Sequence, residues 1–502
     1  MAKSKTKKRI QKLTKKLLWV HRYTGFVLSL LFLFWFLSGF VMMYKDFPYL
    51  SKTEALARAE GIAPSKDWMT PQELFLKHHL QNHHWESITV VSTGGRPMYR
   101  LQDDQGKFYC FFADTGQKVP AFSQNEAKRI VSHFMGNQVK MAYVEKMTNL
   151  DQWTPRTRFL PYLPAYRVHL DDGKGTVCYV SSITGQLFQK LNTADKIWAW
   201  LGPIPHWIYF KSLRIHTQLW RDVIVALSLV GVVVCLTGLY MGIVRVRRRK
   251  KGKKWAFSPY KKIWFKWHHY TGFGFGLFTF TWILSGLLSM NPWKWSPSNS
   301  LSSQAKQIWQ GGELSPKLFS VNPSKAIAHQ KEKVSELTLT RFAGKPYYQI
   351  QMADGTSKLL LGNDKQAPLE RLGNQSYLKQ VQAIHPKLKI LRVQELTDYD
   401  AYYYNKHRTK PLPVLKVDFA DNAHTTYYIN PKTAKVVMKY ENTSRGYRWL
   451  YHGLHSLDFP ALFFRRPLWD IIMIILLLGG ISVSITGVAL TWKWFKRKVN
   501  LK

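Results

Sequence analysis

Residues Leu17–Tyr44 read LLWVHRYTGFVLSLLFLFWFLSGFVMMY, an apolar run that contains no acid. It exceeds the roughly 20 residues a helix needs to cross about 30 Å of hydrocarbon. Three more runs of this kind follow, at Leu219–Val244, 265–290 and Leu468–Trp492. Four such runs predict a membrane α-helical protein with four transmembrane helices. The first run follows a basic stretch, as a signal peptide would, but it is too long and no small-residue cleavage site follows. It is expected to remain as an uncleaved span.

The long polar stretches between the runs explain why 46% apolar residues and 15% aromatics still average to a mean hydropathy of -0.24. The net charge of +43 would suit a nucleic-acid binder if it were spread over a soluble surface. Much of it is not. Residues 1–16, 245–262 and 493–502 hold eight, ten and five Lys/Arg and no acid, and each borders an apolar run. That is the pattern of cytoplasmic flanks beside anionic lipid, so the partner expected is a lipid bilayer and no nucleic acid. The domain order follows: a cytoplasmic tail at 1–16, spans at 17–44, 218–244, 265–290 and 467–492, a cytoplasmic loop at 245–264 and a tail at 493–502. The large segments 45–217 and 291–466 then lie outside, in the periplasm of a two-membrane bacterium. The expected location is the bacterial inner membrane, multi-pass, with both termini cytoplasmic. The short cytoplasmic segments leave no room for a nucleotide-binding domain.

The halves resemble each other. A shift of 247 residues brings His21, Thr24, Gly25, Trp35, Ser38 and Gly39 onto His268, Thr271, Gly272, Trp282, Ser285 and Gly286. A shift of 249 brings Trp200, His206, Trp220, Thr237 and Gly238 onto Trp449, His455, Trp469, Thr486 and Gly487. Two spans per half give both halves one orientation, as two parallel repeats about an axis normal to the membrane. Gly39, Gly238, Gly286 and Gly487 are expected to serve close helix packing.

Within the large segments, period-2 runs flank Gly or Asx turns, as at Tyr166-Arg-Val-His-Leu, Val177-Cys-Tyr-Val and Thr184-Gly, and again at Leu415-Lys-Val-Asp-Phe and Thr426-Tyr-Tyr-Ile-Asn. These read as β-hairpins, with helices near 124–135 and 374–385, giving four small α+β units, two per loop. Cys110 and Cys178 could pair in an oxidising compartment or stay as free thiols. The H-x-x-x-G start of spans one and three, the T-G late in spans two and four and the strand–turn–strand units resemble the PepSY-associated transmembrane helix family. The resemblance covers nearly the whole chain. It implies two periplasmic PepSY-like domains, at 45–217 and 291–466, in an iron-regulated inner-membrane protein similar to haem-containing reductases of ferric siderophores. PepSY domains are also linked with peptidase inhibition, which keeps open a non-enzymatic protein that binds or inhibits a periplasmic partner.

Histidines at the membrane borders carry the candidate chemistry. His21 and His268 start spans one and three; His206 and His455 precede spans two and four. Repeat-related pairs suit a bis-imidazole iron, and together with the resemblance they imply two haems b, with the haem iron held by these four residues. His216 and His452 are alternative outer ligands. The group His78, His79, His83 and His84 resembles a metal site by count but has no counterpart in the second loop. The activity expected is ferric-chelate reduction: electrons from a membrane quinol or a separate reductase cross the bilayer to a ferric siderophore.

Overall fold

A computed structural model describes residues 2–81, 83–246, 257–328, 330–364 and 367–499. Most of the basic connection, 247–256, lies outside the described residues, as do Met1 and 500–502. The chain divides into two compact units, one of Met1–Phe47, Ile197–Pro297 and Arg445–Lys502, the other of Pro48–Lys196 and Ser298–Ser444.

The first unit is a bundle of four long helices: α1 (Ala2–Met42), α2 (Thr217–Val244), α3 (Ile263–Ser289) and α4 (Leu468–Val499). Lys8–Met42 of α1 and the whole of the other three are long and apolar enough to span a bilayer. The protein is a multi-pass membrane protein. Helix α1 begins at Ala2, so the basic tail and the first span are one continuous helix. Both α1 and α3 pack on α2 and on α4, which sets α1 and α3 across the diagonal of the bundle. Glycine permits the tightest contacts. A Cβ on Gly480 of α4 would stand 2.5 Å from the Phe36 ring, and one on Gly479 would stand 2.2 Å from Phe275. In lipid, where apolar burial drives no association, such close approach is the chief source of packing energy.

The second unit holds fourteen strands among the described residues. From the first loop come β1 (Trp85–Thr93), β2 (Arg96–Asp103), β3 (Phe108–Phe112), β4 (Met141–Met147), β5 (Ala165–Leu170), β6 (Val177–Ser181) and β7 (Leu187–Leu191). From the second come β8 (Val334–Phe342), β9 (Lys345–Met352), β10 (Ser357–Leu361), β11 (Ile390–Leu396), β12 (Val414–Phe419), β13 (Thr426–Asn430) and β14 (Lys435–Tyr440). Two four-stranded antiparallel sheets, β4-β5-β6-β7 and β11-β12-β13-β14, each belong to one loop. The remaining strands join across the loops in one six-stranded sheet of order β10-β9-β8-β1-β2-β3. The seam is antiparallel, with Thr89 opposite Thr338 and Val90 opposite Leu337. Its core is common property: Ile88, Tyr99 and Leu101 pack in one cluster with Leu337, Tyr348 and Ile350. Reading each loop as holding its own α+β units did not foresee this union.

Helices cover the four-stranded sheets as their apolar spacing dictates. Gln124–Met135 starts with a capping box of Ser123 and Glu126 and packs Ala127, Val131 and Phe134 in one core with Val168, Cys178 and Val180. Asn374–Ile384 packs Tyr377 and Val381 in one core with Leu415 and Val417. Cys110 and Cys178 are free, buried in separate clusters, and burial pushes their thiols up to about 11 and about 12. Each four-stranded sheet is also tied to the loop between its first two strands by one carboxylate. Asp151 accepts from the Tyr179 hydroxyl at 2.8 Å and the Trp153 and Thr154 amides at 2.9 Å, with Arg167 at 3.5 Å. Asp400 accepts from the Tyr428 hydroxyl at 2.8 Å, the Tyr402 and Tyr403 amides at 2.9 and 2.6 Å, and Lys416 at 3.0 Å. These partners correspond under the 249-residue shift. Removing the carboxylate in Asp400→Ala leaves the Tyr428 hydroxyl and two amides without their acceptor, and should cost about 1–3 kcal/mol of stability. Thermal unfolding of the purified protein measures it, and Asp400→Asn should recover part of the loss.

Candidate functional site

The diagonal of the bundle brings the border histidines together in two pairs. His21 on α1 faces His268 on α3, with ring centroids 6.3 Å apart. His206, from the short helix Pro203–Trp207, faces His455, from Leu454–Ser456, at 6.0 Å. His216 and His452 join neither pair; both are exposed, His216 as the residue capping α2 and His452 beside Tyr451. Ser38, which contacts His206, stands seventeen residues beyond His21 on α1. At about 1.5 Å per residue, the two pairs are separated by roughly 25 Å of helix.

Each imidazole is tethered through Nδ1 by a neighbouring helix. His21 Nδ1 lies 3.0 Å from the Val234 carbonyl and 3.4 Å from Thr237 Oγ1 on α2. His268 Nδ1 lies 2.9 Å from Thr486 Oγ1 on α4. His206 Nδ1 meets Ser38 Oγ and the Trp35 carbonyl of α1, both at 3.1 Å. His455 Nδ1 meets Ser285 Oγ of α3 at 3.0 Å. A hydroxyl has a single proton, and each of these four already donates it to a carbonyl of its own helix. Thr237 bonds Val233, Thr486 bonds Val483, Ser38 bonds Phe34 and Ser285 bonds Trp282, at 2.6–2.9 Å. Hydroxyl and carbonyl alike can then only accept from the ring, so Nδ1 carries the imidazole proton. Nε2 is left with its lone pair, and among the described residues none of the four makes a hydrogen bond through it. Desolvation pushes the pKa of His206 and His455 well below the ordinary histidine range, so both are neutral at pH 7.

The glycine after each hydroxyl lies beside the ring, and at Gly238 it makes room for it. A Cβ on Gly238 would stand 2.7 Å from His21 Cε1, and one on Gly39 would stand 3.5 Å from His206 Cε1. At Gly286 and Gly487 the nearest imidazole atom, Cε1 of His455 or His268, would be 3.8 Å away. At Gly238 the space serves the His21 ring, whereas at Gly487 the tightest neighbour is Ser29 of α1, at 3.2 Å, a helix-packing contact as expected. Ser38, Thr237, Ser285 and Thr486 were visible in the sequence as repeat matches. The signal that marks them is a hydroxyl–glycine dipeptide in all four spans.

Two neutral imidazoles with free lone pairs have the chemistry to ligate a metal between them. Two metal–nitrogen bonds of about 2 Å each, with the ring radii added, span roughly 6 Å, close to both separations. No third His, Cys, Asp or Glu joins either pair among the described residues, so a metal there would draw its other donors from elsewhere. The four in-plane nitrogens of a haem meet that need, and the arrangement fits one. The cluster in the first loop differs. His78 Nε2 donates to the Gly116 carbonyl at 2.6 Å, and His84 lies 3.4 Å from Glu313.

A family described as the PepSY-associated TM region matches residues 18–385, well over half of the chain. The protein belongs to this family. The match includes His21, His206 and His268 and stops short of His455 and α4. No curated protein matches the chain. In this PepSY-associated transmembrane protein, Gly238→Leu should force the His21 ring aside and cost roughly 1–3 kcal/mol, an overpacking penalty. Gly272, where an added Cβ would meet no atom within 4 Å, provides the control. Thermal unfolding in detergent should fall for Gly238→Leu and stay near wild type for Gly272→Leu.

Proposed function

We propose that this protein binds two haems b and conducts electrons across the bacterial inner membrane to reduce ferric chelates, such as ferric siderophores, in the periplasm. The doubled geometry supports it above all: two facing imidazole pairs, every ring held at Nδ1 and unbonded at Nε2. His21 and His268 would hold the inner haem, His206 and His455 the outer one. Haem supplies a one-electron Fe(III)/Fe(II) couple when bound, and two histidine ligands favour electron transfer over substrate binding at the iron.

The chain's own groups have defined roles. The hydroxyls of Ser38, Thr237, Ser285 and Thr486 fix the tautomer and the orientation of each imidazole and raise its basicity as a ligand. Gly238 keeps the space around the His21 ring open. The apolar bundle excludes water between the two levels. The basic flanks orient the protein with both termini in the cytoplasm and the β-sheet unit in the periplasm, and the two halves act as duplicated, parallel repeats. A membrane quinol or a separate reductase donates the electrons, because the connection between α2 and α3 is too short for a nucleotide-binding fold. If the spans merely anchored domains that bind or inhibit a partner, four tethered histidines facing in pairs would have no purpose.

A reduced-minus-oxidised visible spectrum of the purified protein tests the proposal. Soret and α-band changes are expected, and their absence after haem supplementation refutes it. His21→Ala and His206→Ala should each remove roughly half of the haem, as each takes one of two ligands from one iron. Thr486→Val, which keeps the shape and deletes the acceptor, should weaken haem retention about 10- to 100-fold, measured by haem loss to an apo-globin acceptor.

A further inference from the structure

The β-sheet unit contains a cavity of about 500 Å³, within the range of small-molecule sites. The helix Lys52–Arg58, strand β1, the helix Gln124–Met135 and the turn into β7 line it. One wall is aromatic: Phe188 stacks on Tyr162 at 4.9 Å and lies 5.8 Å from Phe159. The other feature is an excess of cations. Lys52, Arg58, Arg100 and Arg158 line the cavity, against the two carboxylates of Glu60 and Glu336.

Both carboxylates are already engaged. Glu60 accepts from the Gly94 and Gly95 amides at 2.9 and 2.7 Å. Glu336 lies 3.4 Å from Arg100 and 3.8 Å from Lys52. Glu336 thus already pairs with two of the four cations, and Arg58 lies 3.6 Å from Glu54 beside the cavity; four cations against two lining carboxylates still give the lining a net positive charge. Two of the guanidinium groups also lie over rings, Arg58 over Phe134 at 5.7 Å and Arg158 over Phe159 at 4.9 Å. Flat cationic groups laid on aromatic faces form a surface that accepts a planar ring and its acidic substituent together.

We propose that this cavity binds a small organic anion with a planar aryl ring, the ring against Tyr162 and Phe188 and the acid group on the arginines. The site rests on the cavity alone and requires no haem. If the protein does reduce ferric chelates, this is where an aryl-bearing chelator would be recognised.

The test is equilibrium dialysis of the full-length protein in detergent, with protein-free micelles subtracted. The probe is 2-naphthoate; decanoate, an anion without a ring, and 2-naphthol, a ring without a charge, are the comparisons. The protein should retain 2-naphthoate at least about tenfold more tightly than either comparison, and added salt should weaken it. Arg58 and Arg158 are exposed, so the Arg58→Gln/Arg158→Gln double variant should keep the wild-type unfolding temperature. Its affinity for the probe should fall about tenfold. Phe188→Ala should weaken the probe without raising the affinity for decanoate. No retention of 2-naphthoate overturns the proposal. So does equal retention of decanoate, or an affinity unchanged in the double variant. A haem-free preparation that binds the probe supports the cavity while refuting the haem proposal, so the two fail separately.

Discussion

The membrane bundle is organised around a limit on hydroxyl groups, which have one proton each. Four serine and threonine hydroxyls direct that proton to their own helix and turn a lone pair towards a histidine of the helix that crosses them. The bond decides which ring nitrogen is protonated. It also couples helices in pairs: α1 to α2 and α3 to α4 through His21 and His268, and the short helices before α2 and α4 back to α1 and α3 through His206 and His455. In a low-dielectric interior an unpaired imidazole N–H would be costly, so the position of each ring follows from the position of its acceptor. The diagonal placement of α1 and α3 then makes facing pairs, which adjacent helices at contact distance would have no room to form.

Glycine completes the constraint. Next to Thr237, a side chain at position 238 would occupy the volume of the His21 ring. At Gly238 the clearance is tightest, and at Gly286 and Gly487 it is looser. The same residue type performs a second task nearer the middle of the bundle, where Gly479 and Gly480 admit Phe275 and Phe36. One residue type thus serves two purposes at different depths, and only the identity of the neighbour distinguishes them.

That difference marks how much could be read without coordinates. The spans, the helices Gln124–Met135 and Asn374–Ile384 and most strands follow from periodicity, which is local in the chain. The histidine pairs were legible because matching positions recur at a constant offset. The role of Gly238 was not, since the atom that needs the space there belongs to His21, more than two hundred residues away. Likewise, the pairing of β1 with β8 has no local signature: Ile88 and Val90 alternate as they would beside any partner strand. The Asp151 and Asp400 ties were hidden for a different reason. Each is an ordinary-looking acid in a polar loop, and only the Tyr179 and Tyr428 hydroxyls that reach it reveal its purpose.

The shared six-stranded sheet imposes an order of events on biogenesis. Strand β1 is translated long before β8, and in between the ribosome must make two membrane spans and the connection joining them. At 5–20 residues per second, the 247 residues separating Val90 from Leu337 take on the order of ten to fifty seconds. For that time the first three strands have one side of β1 open, with unpaired amides and carbonyls that could capture another chain. The sheet can close only after the third helix has been inserted and the second loop delivered to the same side. Correct insertion of the third helix is therefore a precondition for finishing a fold that had begun some hundred and seventy residues earlier.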